Sequence, residues 1–336
     1  MTHKKKPSFS IIVPVYNRPK EVEELVSSLI NQTDKDFELV LVEDGSTIPC
    51  KKICKDNADS ITIKYYHKDN EGRSIARNYG LDRADGDFFI FVDSDCLLPP
   101  NYIETLKKTI KENPTDCFGG PDSAHESFTD IQKAINFSMT SFFTTGGIRG
   151  GKKSLEKFTP RTFNMGFSRE VYEKTGGFRE MYSEDIDMST RIKNNGFKIM
   201  LYPDVKVYHK RRVNLKKFWR QVHIFGMSRI TLELLYPGSM KLVHWLPALF
   251  VILGLGLVIA SFFNIWFLIP LLVYFVTLLI TALITTRSPK IALLALPASA
   301  IQLGGYGTGF IRAYVWKILL RHGRDINEEI EQRKGK

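Results

Sequence analysis

The stretch Phe88-Phe89-Ile90-Phe91-Val92-Asp93-Ser94-Asp95 decides how the chain is read: an apolar run passes directly into two carboxylates one residue apart. Apolar residues that do not alternate with polar ones mark a strand buried on both faces, as in a parallel sheet covered by helices. The carboxyl end of such a strand is where open α/β sheets bind ligands. In extended backbone, side chains two apart point the same way, so Asp93 and Asp95 are expected to converge on one hard cation and, through it, on a diphosphate. An isolated Asp-x-Asp is more often a strand followed by a solvated acidic turn. The surrounding sequence has to choose.

Working upstream, residues 9–15 predict a first strand, closed by Pro14 and the turn Asn17-Arg18-Pro19. Residues 21–30 place Val22, Leu25, Val26 and Leu29 on one helical face. A second strand, 37–42, runs into Glu43-Asp44-Gly45-Ser46, repeating the pattern of apolar strand and terminal acids. A third strand is expected over 61–66. The helix that follows, from about Gly72 to Gly80, puts Arg73 and Arg77 four residues apart on one face, where they can pair with phosphate or with nearby acids. Strand and helix in alternation predict a mostly parallel sheet with right-handed crossovers and helices on both faces.

The chain has 336 residues and a formal net charge of +11, which points to an anionic partner. Basic residues gather at Lys4, Lys5 and Lys6 and at His209-Lys210-Arg211-Arg212 with Lys216 and Lys217, the latter just before a strongly apolar region. That placement favours a membrane surface over nucleic acid. The N-terminal lysines lead into a short strand and not into a long apolar core, so no cleavable signal peptide is expected and the front domain is placed in the cytoplasm. Cys50, Cys54, Cys96 and Cys117 fit neither zinc-ribbon nor thioredoxin-type spacing and read as reduced thiols.

Val13-Pro14-Val15-Tyr16-Asn17, Val42-Glu43-Asp44-Gly45-Ser46, Ala76-Arg77-Asn78-Tyr79-Gly80 and Val92-Asp93-Ser94-Asp95, in that order, resemble glycosyltransferase family 2 and its GT-A fold. The resemblance extends from about residue 8 to 229. It implies a nucleoside diphosphate sugar as donor, a UDP-sugar foremost, gripped by Pro14, Tyr16, Asn17, Glu43, Asp44, Arg73, Arg77, Asp93 and Ser94. Asp44 would touch base or ribose, and Asp93 and Asp95 would carry a Mg²⁺ or Mn²⁺ ion. His209 resembles the histidine that in some GT-A enzymes completes the metal site or touches the diphosphate; a lone histidine at a strand end is more often structural.

Farther along, Asn164, then Gly176-Gly177-Phe178-Arg179-Glu180, then Ser183-Glu184-Asp185-Ile186-Asp187 resemble the family's acceptor region. The resemblance gives Asn164, Gly177 and Phe178 to the acceptor pocket and makes Asp185, with Glu184, the general base. The chemistry demands such a carboxylate, because an acceptor hydroxyl must lose its proton as it attacks. The same acids would also stabilise the first turn of a helix starting near Ser183. Arg179 stands where the family has Asp or Asn. A helix over 215–235 resembles the family's closing helix, with Trp219, Arg220, Gln221 and Arg229 toward acceptor or diphosphate; residues 144–157 read as a glycine-rich basic loop.

From residue 242 the chain changes character. Residues 242–263 and 265–285 are each long and apolar enough to cross a bilayer, and Arg287 and Lys290 place their following loop on the cytoplasmic side. The stretch 291–320 carries Pro297, Gln302, Gly304, Gly305, Gly307, Gly309 and Arg312, and is expected to be broken or re-entrant, returning the basic tail 321–336 to the cytoplasm. The resulting expectation is a cytoplasmic GT-A domain over 1–235 and a membrane region over 241–320, in a bacterial inner membrane. It would act as an inverting, metal-dependent glycosyltransferase on a hydroxyl of a lipid-linked saccharide, without nucleic acid. Transfer to a polyprenyl phosphate and a non-catalytic membrane scaffold are the alternatives.

Overall fold

A computed structural model describes residues 8–123, 125–147, 158–210 and 214–323. Lys4 to Lys6, most of the expected loop over 144–157, Arg211, Arg212 and the end of the basic tail lie outside the described residues. The described residues divide into two units, one within Met1–His125 and Phe158–His209, the other within Glu126–Lys157 and Lys210–Glu329.

In the first unit the strands are β1 (Phe9–Val15), β2 (Phe37–Asp44), β3 (Thr62–Lys68), β4 (Phe88–Phe91), β5 (Cys96–Leu97), β6 (Cys117–Gly119), β7 (Asp122–Ser123), β8 (Met165–Ser168), β9 (Ile199–Leu201) and β10 (Val207–His209). Its helices are α1 (Pro19–Ile30), α2 (Lys51–Asp56), α3 (Arg73–Leu81) and α4 (Tyr102–Glu112). A seven-stranded sheet has the order β3-β2-β1-β4-β8-β6-β9, in which β8 alone runs against its neighbours. This is the mostly parallel sheet that the unalternating strands predict. Successive residues of β1 enter opposite cores: Ile11, Val13 and Val15 meet Val22, Leu25 and Leu29 of α1 and Ile103 of α4, while Ile12 meets Ala76 of α3. Helices therefore cover both faces, and β1, β2, β3 and β4 end along one edge. A separate three-stranded sheet, β5-β10-β7, carries the chain from that edge toward His209.

Two boundaries differ from expectation in ways that matter for the site. Strand β2 continues through Glu43 and Asp44, and β4 stops at Phe91, where Asp93 O accepts the N–H of Cys96 and folds Ser94 and Asp95 into a turn. The alternation argument for Asp93 and Asp95 therefore fails, because their backbone is not extended.

The second unit holds α5 (Asp130–Thr140) and α6 (Phe142–Thr145); the first unit resumes with α7 (Arg169–Thr175) and α8 (Glu184–Asn194), and the second with α9 (Leu215–Leu235), α10 (Leu242–Ser261), α11 (Ile269–Thr286) and α12 (Pro289–Ala313). The division differs from the expected boundary near residue 235. Ala134 and Phe137 of α5 bury against Leu278 and Ala282 of α11 and Ala292 and Ala295 of α12, and Phe218 and Val222 of α9 share a core with Ala298. Three helical stretches are long and apolar enough to cross a membrane: Leu242–Ser261, Ile265–Thr286 and Pro289–Leu319.

The last of these corrects the expectation of a broken segment. One helix passes through Pro297 and all four glycines. A methyl group on Gly305 would stand 2.4 Å from Val222, on Gly309 2.1 Å from the His223 carbonyl, and on Gly307 2.3 Å from the Pro247 carbonyl. Gly226 of α9 answers from the other side, 2.1 Å from the Tyr306 carbonyl by the same construction. The glycines are thus a close-packing seam, small residues that let helix backbones approach closely. Gly226→Ala is expected to destabilise the detergent-solubilised chain by about 1–3 kcal/mol, the cost of overpacking. Gly256→Ala, where a methyl meets nothing within 4 Å, should leave the thermal midpoint unchanged or slightly higher.

Candidate active site

The edge where β1, β2 and β4 end collects most of the expected donor residues. After β1, Asn17 adopts the left-handed region (φ 52°). Its Oδ1 accepts from Thr47 N (2.9 Å), Thr47 Oγ1 (3.0 Å) and Ile48 N (3.2 Å), and its own N–H donates to Ser46 Oγ (2.9 Å). This stitches the first loop to the second and leaves the ring of Tyr16 exposed. Pro14 is half-buried in β1 and Ser94 is buried.

Glu43 and Asp44 sit differently from open donor contacts. Both are buried. Glu43 accepts from Cys50 N (3.0 Å) and from the Tyr65 hydroxyl. Asp44 takes Glu71 N on Oδ1 (2.9 Å) and Gly72 N on Oδ2 (2.8 Å), with Lys68 Nζ at 3.0 Å. In this structure Asp44 fixes the loop that launches α3.

That loop delivers Arg77, and Arg77 is fully buried. Its Nη1 donates to Glu184 Oε1 (2.9 Å) and its Nη2 to Asp93 Oδ1 (2.9 Å), while Arg73 Nη2 reaches Glu184 Oε2 (2.8 Å). Spacing put the two arginines on one face; the structure gives them the acids, not an open phosphate site. Burial alone would push the Glu184 carboxyl up, but the guanidiniums of Arg73 and Arg77 outweigh it and hold the group below the usual glutamate range.

Asp95 faces elsewhere. Arg18 Nη1 lies 3.1 Å from its Oδ2 and His209 Nε2 3.2 Å from its Oδ1. The small sheet produces this pairing, since His209 of β10 stands opposite Cys96 of β5. Among the described residues, Asp95, Cys96 and His209 offer ligand atoms within 4.8 Å of one another. In this structure Asp93 turns to Arg77, and His209 stands beside Asp95. Cys96 does not suit the role, because burial, then Asp95 and Asp93, push its thiol well above the ordinary value and keep it protonated. One carboxylate oxygen and one imidazole nitrogen remain, donors that would suit a divalent cation such as Mn²⁺.

Asp185 lies in the first turn of α8, after Ser183 in the left-handed region (φ 63°). Its Oδ1 accepts the Ile186 N–H (2.8 Å), and Arg161 Nη1 stands 3.7 Å from Oδ2. Burial raises its carboxyl above the ordinary aspartate value, with the neighbouring Glu184 charge adding and Arg161 opposing. Glu184 and Asp185 thus differ sharply: one is a buried, ionised anchor, the other a carboxyl that holds its proton to higher pH.

Several expected acceptor residues are framework. Asn164 is fully buried, accepting from the Tyr102 hydroxyl (2.7 Å) and donating to Val205 O (2.7 Å). Phe178 is buried edge-to-face on Phe91 (4.9 Å between centroids). Gly177 lets the backbone press on Asn78, which donates to Phe178 O (2.8 Å) and accepts from Phe178 N (2.7 Å). Arg179 ion-pairs with Asp187 at 3.1 Å. Trp219, Arg220, Gln221 and Arg229 all belong to α9 of the second unit, where Trp219 packs on Gly304 and Gly305 and the buried Arg229 bonds Ser239. Sequence reasoning missed Arg18, Arg161, Asp122 and the bracing role of Asn78; single polar residues in loops carry no periodic signal.

Comparison with known proteins gives the family and the fold. Residues 10–176 match the model of the family described as Glycosyl transferase family 2. "Glycosyltransferase GlyA" of Streptococcus pneumoniae is 42% identical over 108 residues, 32% of this chain and 16% of that protein. The chain therefore spans a small part of such longer relatives. A Campylobacter jejuni protein named "GalNAc(5)-diNAcBac-PP-undecaprenol beta-1,3-glucosyltransferase" is 25% identical over 236 residues, 67% of this chain and 68% of that one. Among solved structures, the mannosyltransferase PcManGT of Pyrobaculum calidifontis, in complex with GDP-Man and Mn²⁺, shares the fold with a TM-score of 0.60 at 17% identity, covering 90% of this chain and 88% of its own.

The ion-pair geometry gives a stability prediction. Arg77→Ala leaves Glu184 charged and buried with half its compensation and is expected to cost about 3–5 kcal/mol. Arg73→Ala removes a guanidinium that is 53% exposed and should cost about 1 kcal/mol or less. Denaturant unfolding of the two variants checks the contrast.

Proposed function

Because residues 10–176 are a glycosyl transferase family 2 domain, we propose that this chain transfers a sugar, with inversion, from a nucleoside diphosphate sugar to a hydroxyl of a lipid-linked saccharide at a bacterial cell membrane. The observation that carries the reading is the pair of unlike acids at the start of α8: an ionised Glu184 locked to Arg73 and Arg77, and beside it an Asp185 whose carboxyl is raised. The three apolar stretches and the undecaprenol-linked acceptor in the name of the Campylobacter relative support the membrane and lipid parts.

In this mechanism the exposed ring of Tyr16 and the loop held by Asn17 receive the nucleoside. Asp95 and His209 would hold a Mg²⁺ or Mn²⁺ ion, which when bound supplies positive charge to the diphosphate. Arg18, already on Asp95, lies where it can turn to a phosphate oxygen. Asp185 takes the proton of the acceptor hydroxyl; that oxygen bonds to the anomeric carbon as the bond to the diphosphate breaks on the opposite side. One displacement inverts the configuration, and the nucleoside diphosphate leaves with the electron pair. A carboxyl with a raised pKa suits this work because a base acts best when its pKa approaches the working pH. It also favours a hydroxyl over a polyprenyl phosphate, which is already ionised and needs no base. The catalytic unit is assigned to the cytoplasmic side, where nucleotide sugars are made.

Asp185→Asn should lower the transfer rate by about 10²–10⁴-fold, and near-normal turnover would refute the assignment. The base must be ionised, so activity should rise with pH through an acid limb lying above the ordinary aspartate range. Arg161 opposes protonation of Asp185, so Arg161→Ala should move that limb to higher pH in a pH–rate profile.

A further inference from the structure

Helix α12 meets α10 and α11 at one level, although it touches them with its two opposite ends. The helices α10 and α11 form an antiparallel hairpin, with Phe250 beside Tyr274 (5.2 Å between ring centroids) and a methyl group on Gly254 reaching Leu271 at 3.9 Å. At the start of α12, Ile291, Ala292 and Ala295 share a core with Leu278 and Ala282, about 6–12 Å from the Thr286 end of α11 at the helical rise. Toward its other end, Gly307 lies against Pro247 and Val251, and Phe310 and Tyr314 stand edge-on to Trp245 (4.9 and 5.2 Å between centroids), about 5–14 Å from the Leu242 end of α10. Ala292 and Phe310 are about 27 Å apart along the helix. Were α12 to run down the hairpin as a third crossing, that length would bring Phe310 to the level of Ser261, far from Trp245.

Helix α9 gives a second reason. It runs beside α12 in the same direction, with Trp219 on Gly304 and Gly305, His223 Nδ1 3.2 Å from Thr308 Oγ1, and Lys317 Nζ 3.3 Å from Thr231 Oγ1. Gly304 is about 22 Å along α12 from Pro289. A crossing α12 would therefore carry the exposed Lys216, Lys217 and Arg220 of α9 into the hydrocarbon, where a charged side chain is costly.

We infer that α12 lies in the plane of the membrane surface, an unbroken interfacial helix held across the open end of the α10–α11 hairpin, with the lipid headgroup layer as its partner. Residues 298–311 of α12 include no exposed position, and the large apolar side chains exposed on α12 and its extension stand near the ends, at Leu293, Trp316 and Leu319. That pattern suits a helix whose middle is covered by protein and whose ends dip into the boundary between headgroups and acyl chains. The chain beyond it, with Arg321, Arg324, Arg333, Lys334 and Lys336, then emerges on the side from which α10 enters, where basic residues are held by anionic lipid. The inference rests on reading α10 and α11 as a crossing pair and is independent of the chemistry assigned to Asp185.

The test uses the full-length chain in sealed vesicles of phosphatidylethanolamine and phosphatidylglycerol, with single cysteines added at exposed positions; the four native cysteines are buried, and the parent chain gives the blank. In the first arm, Leu293→Cys and Val315→Cys are spin-labelled and their depths read from relaxation by oxygen and by a water-soluble nickel chelate. The two labels should lie at the same shallow depth; depths that differ by about 30 Å, the length of helix between them, would overturn the inference. In the second arm, a membrane-impermeant maleimide should reach Pro237→Cys and Lys336→Cys from one side of the vesicle and Asn264→Cys from the other. Labelling of Lys336→Cys together with Asn264→Cys would mean a third crossing and would also overturn it. Labelling of Pro237→Cys and Asn264→Cys from the same side would overturn the crossing pair itself, whatever sugar transfer the chain performs.

Discussion

The edge of the large sheet where β1, β2 and β4 end is organised around one buried guanidinium. Arg77 is wholly inside the protein, and it joins the acid after β4, Asp93, to the acid that starts α8, Glu184. A charge in that position is tolerated only because carboxylates face it from two elements far apart in sequence. The consequence is geometric: the loop bearing Asp93 and Asp95 cannot settle independently of the helix bearing Asp185. In the proposed mechanism donor and acceptor chemistry come from separate segments, and this ion-pair chain ties those segments together.

The second device is the three-stranded sheet. Each of its strands is only two or three residues long, yet together they place Cys96 beside Asp95, His209 against Asp95, and Asp122 behind His209. Short strands suit this purpose because they fix side-chain direction without adding bulk at the edge of the large sheet. The site is thus assembled by two independent constraints, one electrostatic and one steric, the latter expressed in Gly120.

Much of this was legible in the sequence, for identifiable reasons. Unalternating apolar runs gave β1, β2 and β4 because burial on both faces leaves that pattern, and Arg73 and Arg77 fell on one face because helical spacing is rigid. For Asp93 and Asp95 the alternation argument does not apply, since it holds only while backbone stays extended, and β4 ends two residues before Asp93. Asn164 and Phe178 stand in the motif segments yet serve packing, a distinction that depends on contacts across the sheet with Tyr102, Val205 and Phe91. The glycines of α12 read as breaks when no partner helix was in view; against Val222, His223 and Pro247 they are the surface that lets α9 and α10 come close. Asp122 was invisible, because a lone aspartate after Gly-Gly-Pro has no signal until β7 is laid beside β10.

The central claim is that Asp93 and Glu184 act as one unit through Arg77. A double-mutant cycle on the transfer rate, with Asp93→Asn, Glu184→Gln and the pair, tests it most directly. Residues that share a partner should show a coupling of about 0.5–3 kcal/mol, so that the second substitution costs much less once the first is made. Losses that add to within about 0.5 kcal/mol would mean the two acids work separately, and the account of a coupled site would be wrong.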